Sequence, residues 1–222
     1  HFESALGSAD TLSDVDRTRL DYGLAIASLK SKKFSRAEKH LEAARSQFQQ
    51  LSAKQRKLVT SSGELKLDAE LAYSYYRNGK FDGALDLLED LPAKGDVALV
   101  QQAVLENLAL EAIKDGRLDA AASSLEQATK LKNTNSAELN LAATRYLQGQ
   151  QSKAAKVFEK LAGKGMVEAI YNYAIYLDDV AGEPQKAITF FADYVDRNGA
   201  KKSEVEQLLA IKRRVFGIGE GR

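Results

Sequence analysis

Apolar residues recur along this chain every three or four positions, the spacing that places them on one face of an α-helix. Ser13 suits a helix N-cap. The helix that it opens carries on its apolar side Leu20, Leu24, Ile26 and Leu29. A second helix is predicted from about Ser35 to Gln50. Its apolar stripe comprises Phe34, Ala37, Leu41, Ala44 and Phe48. Together the two segments predict a helix–turn–helix unit.

The same unit recurs further along the chain. In three places a polar residue and a glycine end one helix, an anchor residue starts the next helix, and an alanine follows three positions after the anchor. These segments are Asn78-Gly79-Lys80-Phe81 with Ala84, Asp115-Gly116-Arg117-Leu118 with Ala121, and Gln148-Gly149-Gln150-Gln151 with Ala154. The anchors Phe81, Leu118, Gln151 and Pro184 lie 37, 33 and 33 residues apart. A period near 34 residues predicts stacked helix pairs, because one pair cannot bury its apolar face alone.

The repeats predict one superhelical domain over residues 14–216, with a flexible lead-in at 1–13 and a flexible tail at 217–222. The interval from Phe34 to Phe81 is 47 residues, so we place an insertion at about 51–64. It is either an extension of the preceding helix or a short extra helix. A final helix, Lys201–Phe216, has no partner and is expected to cover the last apolar face. Its apolar positions are Val205, Leu208, Leu209, Ile211 and Val215.

The small and large residues of these helices resemble the tetratricopeptide repeat (TPR) family, over roughly residues 14–216. In each first helix a large residue precedes a small one: Leu24-Ala25, Leu71-Ala72, Leu108-Ala109, Leu141-Ala142 and Tyr173-Ala174. In each second helix a small residue stands four positions before a large one: Ala37/Leu41, Ala84/Leu88, Ala121/Leu125, Ala154/Phe158 and Ala187/Phe191. Small residues let helices approach closely, and large ones fill the remaining space.

The resemblance implies an all-α fold, a right-handed α-solenoid of about five helix–turn–helix repeats with a C-terminal capping helix. In this family the first helices line a concave groove, and the domains generally act as protein-interaction scaffolds without catalytic activity. We therefore expect a protein or peptide partner.

One column of residues is a candidate binding site. Asn107, Asn140 and Asn172 directly precede the large–small pair in three successive repeats, whereas Glu70 and Gly23 hold that position in the first two. In this family the residue at this position faces the groove. A row of asparagines there is similar to an asparagine ladder that holds extended peptides by their backbone. An amide side chain can both donate and accept a hydrogen bond. The alternative is that each Asn bonds locally or contacts water.

Charged and aromatic residues add further candidates. By the same register Lys66, Arg77 and Lys114 face the groove, and their charge would favour acidic peptide segments. Tyr73 and Tyr76 are candidate anchors for a side chain of the partner. The alternatives are solvated charges on an exposed face and tyrosines that fill the space between helices.

Catalysis and metal binding have few candidate residues. The chain has no cysteine and two histidines, His1 and His40, which excludes the common zinc-ligand sets and leaves no nucleophile–base pair. We expect no catalytic residue, no metal site and no cofactor. A net charge of +1 gives no electrostatic footprint for nucleic acid, and charges interrupt every apolar stretch, so no membrane span is expected.

These patterns leave three functional hypotheses. The first is a scaffold that binds a partner's peptide segment in its groove, within a bacterial envelope or motility-type assembly. The second is a pilotin-like or assembly factor that acts as a homo-oligomer or through its convex surface. The third is a regulatory interaction domain of a larger protein. A cysteine-free chain is compatible with the cytosol and with an oxidising compartment, and His1 points to processing or excision. On these two observations we expect a periplasmic or periplasm-facing, membrane-anchored protein, with the cytoplasm as the alternative.

Overall fold

The computed structural model describes residues 12–60 and 63–217, and every regular element in these ranges is an α-helix. The lead-in predicted at 1–13 and the tail predicted at 217–222 lie almost entirely outside the described residues. The helices are α1 Asp14–Lys30, α2 Phe34–Gln50, α3 Ala53–Val59, α4 Gly63–Arg77, α5 Phe81–Glu89, α6 Gly95–Lys114, α7 Leu118–Leu131, α8 Asn135–Leu147, α9 Gln151–Gly163, α10 Val167–Asp179, α11 Pro184–Asp196 and α12 Lys202–Val215.

The anchor residues mark where second helices begin. Helices α2, α5, α7, α9 and α11 start at Phe34, Phe81, Leu118, Gln151 and Pro184. The turn before α5 places Gly79 at φ 76°, in the left-handed region that glycine adopts without a steric cost. Lys32 occupies the matching position before α2, at φ 55°. The turn geometry is therefore kept even where the sequence lacks the glycine.

The chain forms two compact units, unit 1 (His1–Leu108) and unit 2 (Ala109–Arg222), and the division falls within α6. In unit 1, α1 packs on α2, α2 on α4, and α4 on α5. In unit 2, each of α7 to α10 packs on the next helix, and α12 packs on α11.

The predicted small–large pairs form the cores of both units. The alanine and its partner in every second helix are no more than 2% exposed. The core residues of these pairs are Ala37, Leu41, Ala84 and Leu88 in unit 1, and Ala121, Leu125, Ala154, Phe158, Ala187 and Phe191 in unit 2. The packing pattern read from the sequence is confirmed.

The insertion between the first two repeats contains a short helix of its own. Helix α2 ends at Gln50, and α3 begins after Ser52, which forms a capping box with Gln55. The Arg56 side chain donates to the backbone carbonyls of Leu51 (3.0 Å) and Gln49 (2.7 Å). Helix α3 therefore satisfies carbonyl groups left open at the end of α2.

The capping helix α12 covers α11 with only part of its apolar surface. Val205 and Leu209 are buried, whereas Ile211 and Val215 are 63% and 71% exposed. The expectation that all of its apolar positions cover the last face is therefore wrong for Ile211 and Val215. At about 100° per residue these two lie on a flank of the helix, turned away from the face that Val205 and Leu209 share.

An ion pair fixes the end of α12. The Lys212 ammonium contacts the Asp178 carboxylate of α10, and the two side chains are only 16% and 13% exposed. The exposed pair Lys202–Glu206, with 4.0 Å between charged atoms, lies within α12 itself. The first pair connects α12 to α10. Lys202 contacts Glu206 within α12 and donates to Asn198 in the turn before it, at 3.0 Å.

We expect Asp178→Asn to destabilise the docking of α12 by about 1.5 kcal/mol, because it leaves a largely buried ammonium without its counter-charge. Amide hydrogen exchange in residues 202–215 measures the effect. Lys202→Gln is the matched control and should change the same amides by less than about 0.5 kcal/mol, as exposed pairs contribute little. Equal effects of the two variants would contradict this role for Asp178.

Candidate functional site

Unit 1 carries an open cavity of about 510 Å³, which we call the unit 1 cavity. Its walls come from a partly exposed face of α4, one residue of α5 and the first turns of α6, and most of its surface is apolar. The lining residues are Lys66, Ala69, Glu70, Tyr73, Leu88, Asp96, Val97, Leu99 and Val100. A volume of this size is typical of ligand-binding clefts.

Leu99 and Glu70 are the unusual residues of this lining. Leu99 is 50% exposed although it is a large apolar side chain beside an apolar cavity. One carboxylate oxygen of Glu70, Oε2, is buried and accepts no hydrogen bond from the described part of the chain. Burial raises the pKa of Glu70, an effect that the neighbouring Tyr22 hydroxyl and Lys66 ammonium oppose. The cavity therefore combines unused apolar surface with one unsatisfied acidic oxygen.

The predicted residues Tyr73 and Arg77 form a cluster with Phe34 of α2. The rings of Tyr73 and Phe34 meet edge to face with 6.0 Å between centroids. The Arg77 guanidinium lies 4.0 Å from the centre of the Phe34 ring and donates to the Tyr73 hydroxyl at 2.9 Å. Tyr73 lines the cavity, and Arg77 contacts Tyr73 and Phe34 within the chain.

The other predicted charged and aromatic residues lie apart from this cluster. Tyr76 is half-buried between the rings of Tyr73 and Phe81, at 6.5 and 6.2 Å. Lys66 is exposed on the rim of the unit 1 cavity, and Lys114 is exposed in the last turn of α6. Of the predicted groove residues of unit 1, only Lys66 and Tyr73 line the cavity.

The three predicted asparagines have different surroundings. The Asn107 side chain donates to the carbonyl of Ala103, one turn earlier in α6, at 2.8 Å. The side chains of Asn140 and Asn172 are half-buried and form no hydrogen bond within residues 12–60 and 63–217. Asn107 therefore shows the local bond that we gave as the alternative, and the amides of Asn140 and Asn172 have no such bond.

Asn172 lines a second cavity, in unit 2, of about 270 Å³, which we call the unit 2 cavity. It lies among α8, α9 and α10, and its surface is mainly apolar. The lining residues are Ala143, Tyr146, Leu147, Phe158, Tyr171, Asn172 and Ile175. Leu147 is exposed beside it, as Leu99 is beside the unit 1 cavity.

Sequence reasoning missed Leu99 and Leu147 and gave Glu70 no role. Both leucines are apolar residues outside the buried stripe of their helices, which is a signal that the sequence contains. Glu70 holds the position that asparagine holds in three later repeats, and this departure from the pattern is the signal that the sequence contains for it.

His40, the histidine within the described ranges, takes part in helix packing. Its Nδ1 lies 2.9 Å from an oxygen of Asp21, and the Gln47 side chain donates to the other oxygen at 3.0 Å. These contacts join α1 to α2. The described residues contain no cluster of three side chains able to hold a metal ion, and none of their helices combines the length and apolar character of a membrane span.

Neither a protein-family model nor a curated protein matches this sequence. Among solved structures, MamA AMB-1 is similar, with 17% identity over 81% of this chain and 91% of that chain and a TM-score of 0.54. Another MamA structure has 16% identity, coverages of 84% and 94% and a TM-score of 0.54. TTC0263, a thermophilic TPR protein in Thermus thermophilus, has 18% identity, coverages of 88% and 98% and a TM-score of 0.41.

The helix pairs described above and the likeness to MamA define the class of fold. The chain has an all-α, TPR-like α-solenoid fold, and the fold class predicted from the sequence is confirmed. At these identities the likeness concerns the fold alone.

Proposed function

We propose that this protein is a non-catalytic interaction module that binds a peptide segment of a partner protein, with the unit 1 cavity as its principal site. The observation that carries the proposal is the apolar lining of that cavity next to the half-exposed Leu99. Apolar surface left open in a cleft of this size is a typical feature of sites that take side chains of another protein. The TPR-like fold supports it, because such folds generally present clefts between helices to partners.

The unit 2 cavity supports the same proposal. It offers apolar walls, the exposed Leu147 and the amide of Asn172, which has no hydrogen-bond partner among the described residues. A free amide beside an apolar cavity can bond to the backbone of a segment whose side chain enters the cavity.

Selection from a random-peptide library displayed on phage tests the proposal directly. Peptides enriched on the immobilised protein are synthesised with a fluorescent label, and their affinity is measured by fluorescence anisotropy. We expect enriched peptides rich in apolar residues, with dissociation constants in the micromolar range that peptide-sized contacts typically give, of the order of 1 to 100 μM. A failure to enrich any peptide above an unrelated helical protein of similar charge would count against it.

For a peptide that contacts unit 2, we expect Asn172→Ala to weaken binding by about threefold to tenfold, the effect of losing one or two hydrogen bonds. Asn107→Ala is the matched control. Because the Asn107 amide already bonds to Ala103, its replacement should change the affinity by less than about twofold. Anisotropy titrations of both variants decide between a ladder of all three asparagines, which requires equal losses, and a role for Asn172 alone.

A second function, self-association through α12, is favoured by a separate observation. Ile211, Val215 and Phe216 expose apolar surface on this helix. The first turn of α12 carries Glu204, and its last turn carries a cluster of basic side chains, so an antiparallel copy of α12 would place opposite charges face to face. Pairing of this kind would also cover the apolar flank.

If α12 pairs in this way, sedimentation velocity should show a dimer fraction that rises with protein concentration. Ile211→Asp combined with Val215→Asp should abolish it, because both changes place charge in the apolar contact. Leu147→Asp, an equally exposed leucine elsewhere in unit 2, should leave the dimer unchanged. A wild-type chain that stays monomeric at about 100 μM would contradict self-association.

The setting of this function stays a prediction. We propose a bacterial envelope or motility-type assembly with the periplasm as the compartment, and the cytoplasm as the alternative; the cysteine-free composition is compatible with both. A role as the regulatory interaction domain of a larger protein remains the alternative.

A further inference from the structure

Glu70 departs from the pattern of its column in the repeats. The position that Asn107, Asn140 and Asn172 hold in later first helices is occupied in α4 by a carboxylate. An amide offers both a donor and an acceptor, whereas an ionised carboxylate accepts only. The unit 1 cavity is thus specialised toward hydrogen-bond donors on whatever enters it.

The surroundings of Glu70 leave its acceptor capacity unused. Glu70 lines the unit 1 cavity together with Ala69, Val97 and Val100. Its Oε2 is buried and has no hydrogen-bond partner in the described part of the chain. A buried carboxylate oxygen without a donor is unfavourable, so the free protein retains an unsatisfied group at this point.

The charged side chains near Glu70 do not pair with its carboxylate. Lys66 stands one helical turn earlier and attracts the carboxylate, but it is exposed and forms no ion pair with Glu70 in the described ranges. The Tyr22 hydroxyl interacts with the carboxylate and lowers the pKa of Glu70. The contact does not have the geometry of a full hydrogen bond, because Tyr22 Oη and Glu70 Oε2 are each buried without a partner among the described residues. Asp96 also lines the cavity, but it is exposed, so solvent screens its charge. The charged groups that line the cavity therefore favour the entry of a positively charged side chain.

We propose that the unit 1 cavity selects partner segments in which an apolar side chain is adjacent to a lysine or arginine, whose cation pairs with Oε2 of Glu70. This inference rests on the proposed function and names the chemistry that its principal site recognises. The sequence, through Lys66 and Arg77, predicts a preference for acidic segments. For this cavity we propose the opposite preference. Arg77 does not supply that preference, because its guanidinium contacts Phe34 and Tyr73.

The dimensions and lining of the cavity suit such a segment. The volume of about 510 Å³ accommodates more than one side chain. The apolar walls can cover both an aliphatic side chain and the methylene stem of a lysine or arginine, which leaves its charged end free to reach Glu70. Pairing removes the cost of the unsatisfied oxygen, which makes the contact stronger than an exposed ion pair.

A double-mutant cycle between protein and peptide tests the inference. Peptides selected from the random library on the wild-type protein are synthesised in two forms, one with each basic residue intact and one with it replaced by norleucine, which keeps the stem and removes the charge. Both forms are titrated by fluorescence anisotropy against the wild type, Glu70→Gln and Asp96→Asn. Asp96→Asn removes the same charge from the rim of the same cavity and is the matched control.

We expect norleucine to weaken binding to the wild type and to Asp96→Asn by about tenfold or more, and to Glu70→Gln by less than about twofold. An equal loss on the wild type and Glu70→Gln, or enriched peptides without a basic residue, would overturn the inference. If circular dichroism shows that Glu70→Gln does not fold, the cycle is run with Glu70→Asp. A coupling smaller than that of the wild type is then expected, and an unchanged coupling contradicts the inference.

The same experiment separates this inference from the proposed function. If the library yields no binding peptide, both fail. If peptides bind and Leu99→Glu weakens them, but the norleucine loss does not depend on Glu70, the protein-binding function stands and the cationic specificity alone is wrong.

Discussion

Replacing Phe191 with alanine lowers the free energy of unfolding of unit 2 by about 3 to 5 kcal/mol, the range seen when a large core aromatic is removed. Phe191 is fully buried, and its ring lies 6.1 Å from that of Tyr171. It belongs to a cluster that also includes Val205 and Leu209 of the capping helix. The variant therefore leaves a cavity where α10, α11 and α12 meet.

Urea denaturation followed by circular dichroism, with amide hydrogen exchange of α10 and α11, measures this effect. Phe190→Ala is the matched control: its ring is half-buried and meets Tyr173 edge to face at 5.0 Å, so we expect a loss of only about 1 kcal/mol. Equal losses for the two variants would show that the small–large register of α11 is wrong.

Leu99→Glu weakens the binding of a library-selected peptide by about thirtyfold. Leu99 is 50% exposed at the edge of the unit 1 cavity, so a bound segment would cover the half of the side chain that now faces water. The variant removes that apolar contact and puts in its place a charged group that the apolar side chain of the bound segment would have to desolvate. Together these effects cost about 2 kcal/mol. The stability of the free protein should change little, because the new charge faces solvent.

Leu110→Glu is the control for the same chemistry. Leu110 lies on the same helix, in the part that belongs to unit 2, is 49% exposed and does not line the unit 1 cavity. Its replacement should leave the anisotropy titration within about twofold of the wild type. Comparable losses for Leu99→Glu and Leu110→Glu would point to a nonspecific effect of added charge and would contradict a site at the cavity.

Repeat spacing predicted the fold because it is set by local rules. A helix pair of about 34 residues needs a turn, an anchor and small residues at fixed offsets, and these occur within one repeat. Pro184 shows how robust this is: it is not the large anchor found at Phe81, yet it starts α11, as proline at a first helical position can.

The exposed flank of α12 could not be predicted by the same rules. Its apolar residues occur at helical spacing, but the spacing does not say how wide a face α11 offers. Only Val205, Leu209 and part of Leu208 find neighbours, and Ile211 remains in water. Burial of a terminal helix depends on one neighbour, whereas an internal helix is enclosed on several sides.

The candidate site was predicted in part. The column of asparagines pointed to Asn172, which lines the unit 2 cavity, and the register pointed to Tyr73, which lines the unit 1 cavity. Arg77 was assigned to partner binding, but Phe34, 43 residues earlier in the chain, brings an aromatic ring beneath it. Likewise, the bond from Asn107 to its own helix depends on its side-chain rotamer, which periodicity does not specify.

Amide hydrogen exchange of the wild-type protein, with and without a saturating selected peptide, tests the central claim most directly, because it locates the bound segment. Binding at the unit 1 cavity predicts slower exchange in α4 and in the first turns of α6, with α12 unchanged. Slowing confined to α12, or no slowing in α4 and α6 at saturation, would contradict the unit 1 cavity as the principal site at which this chain binds a peptide.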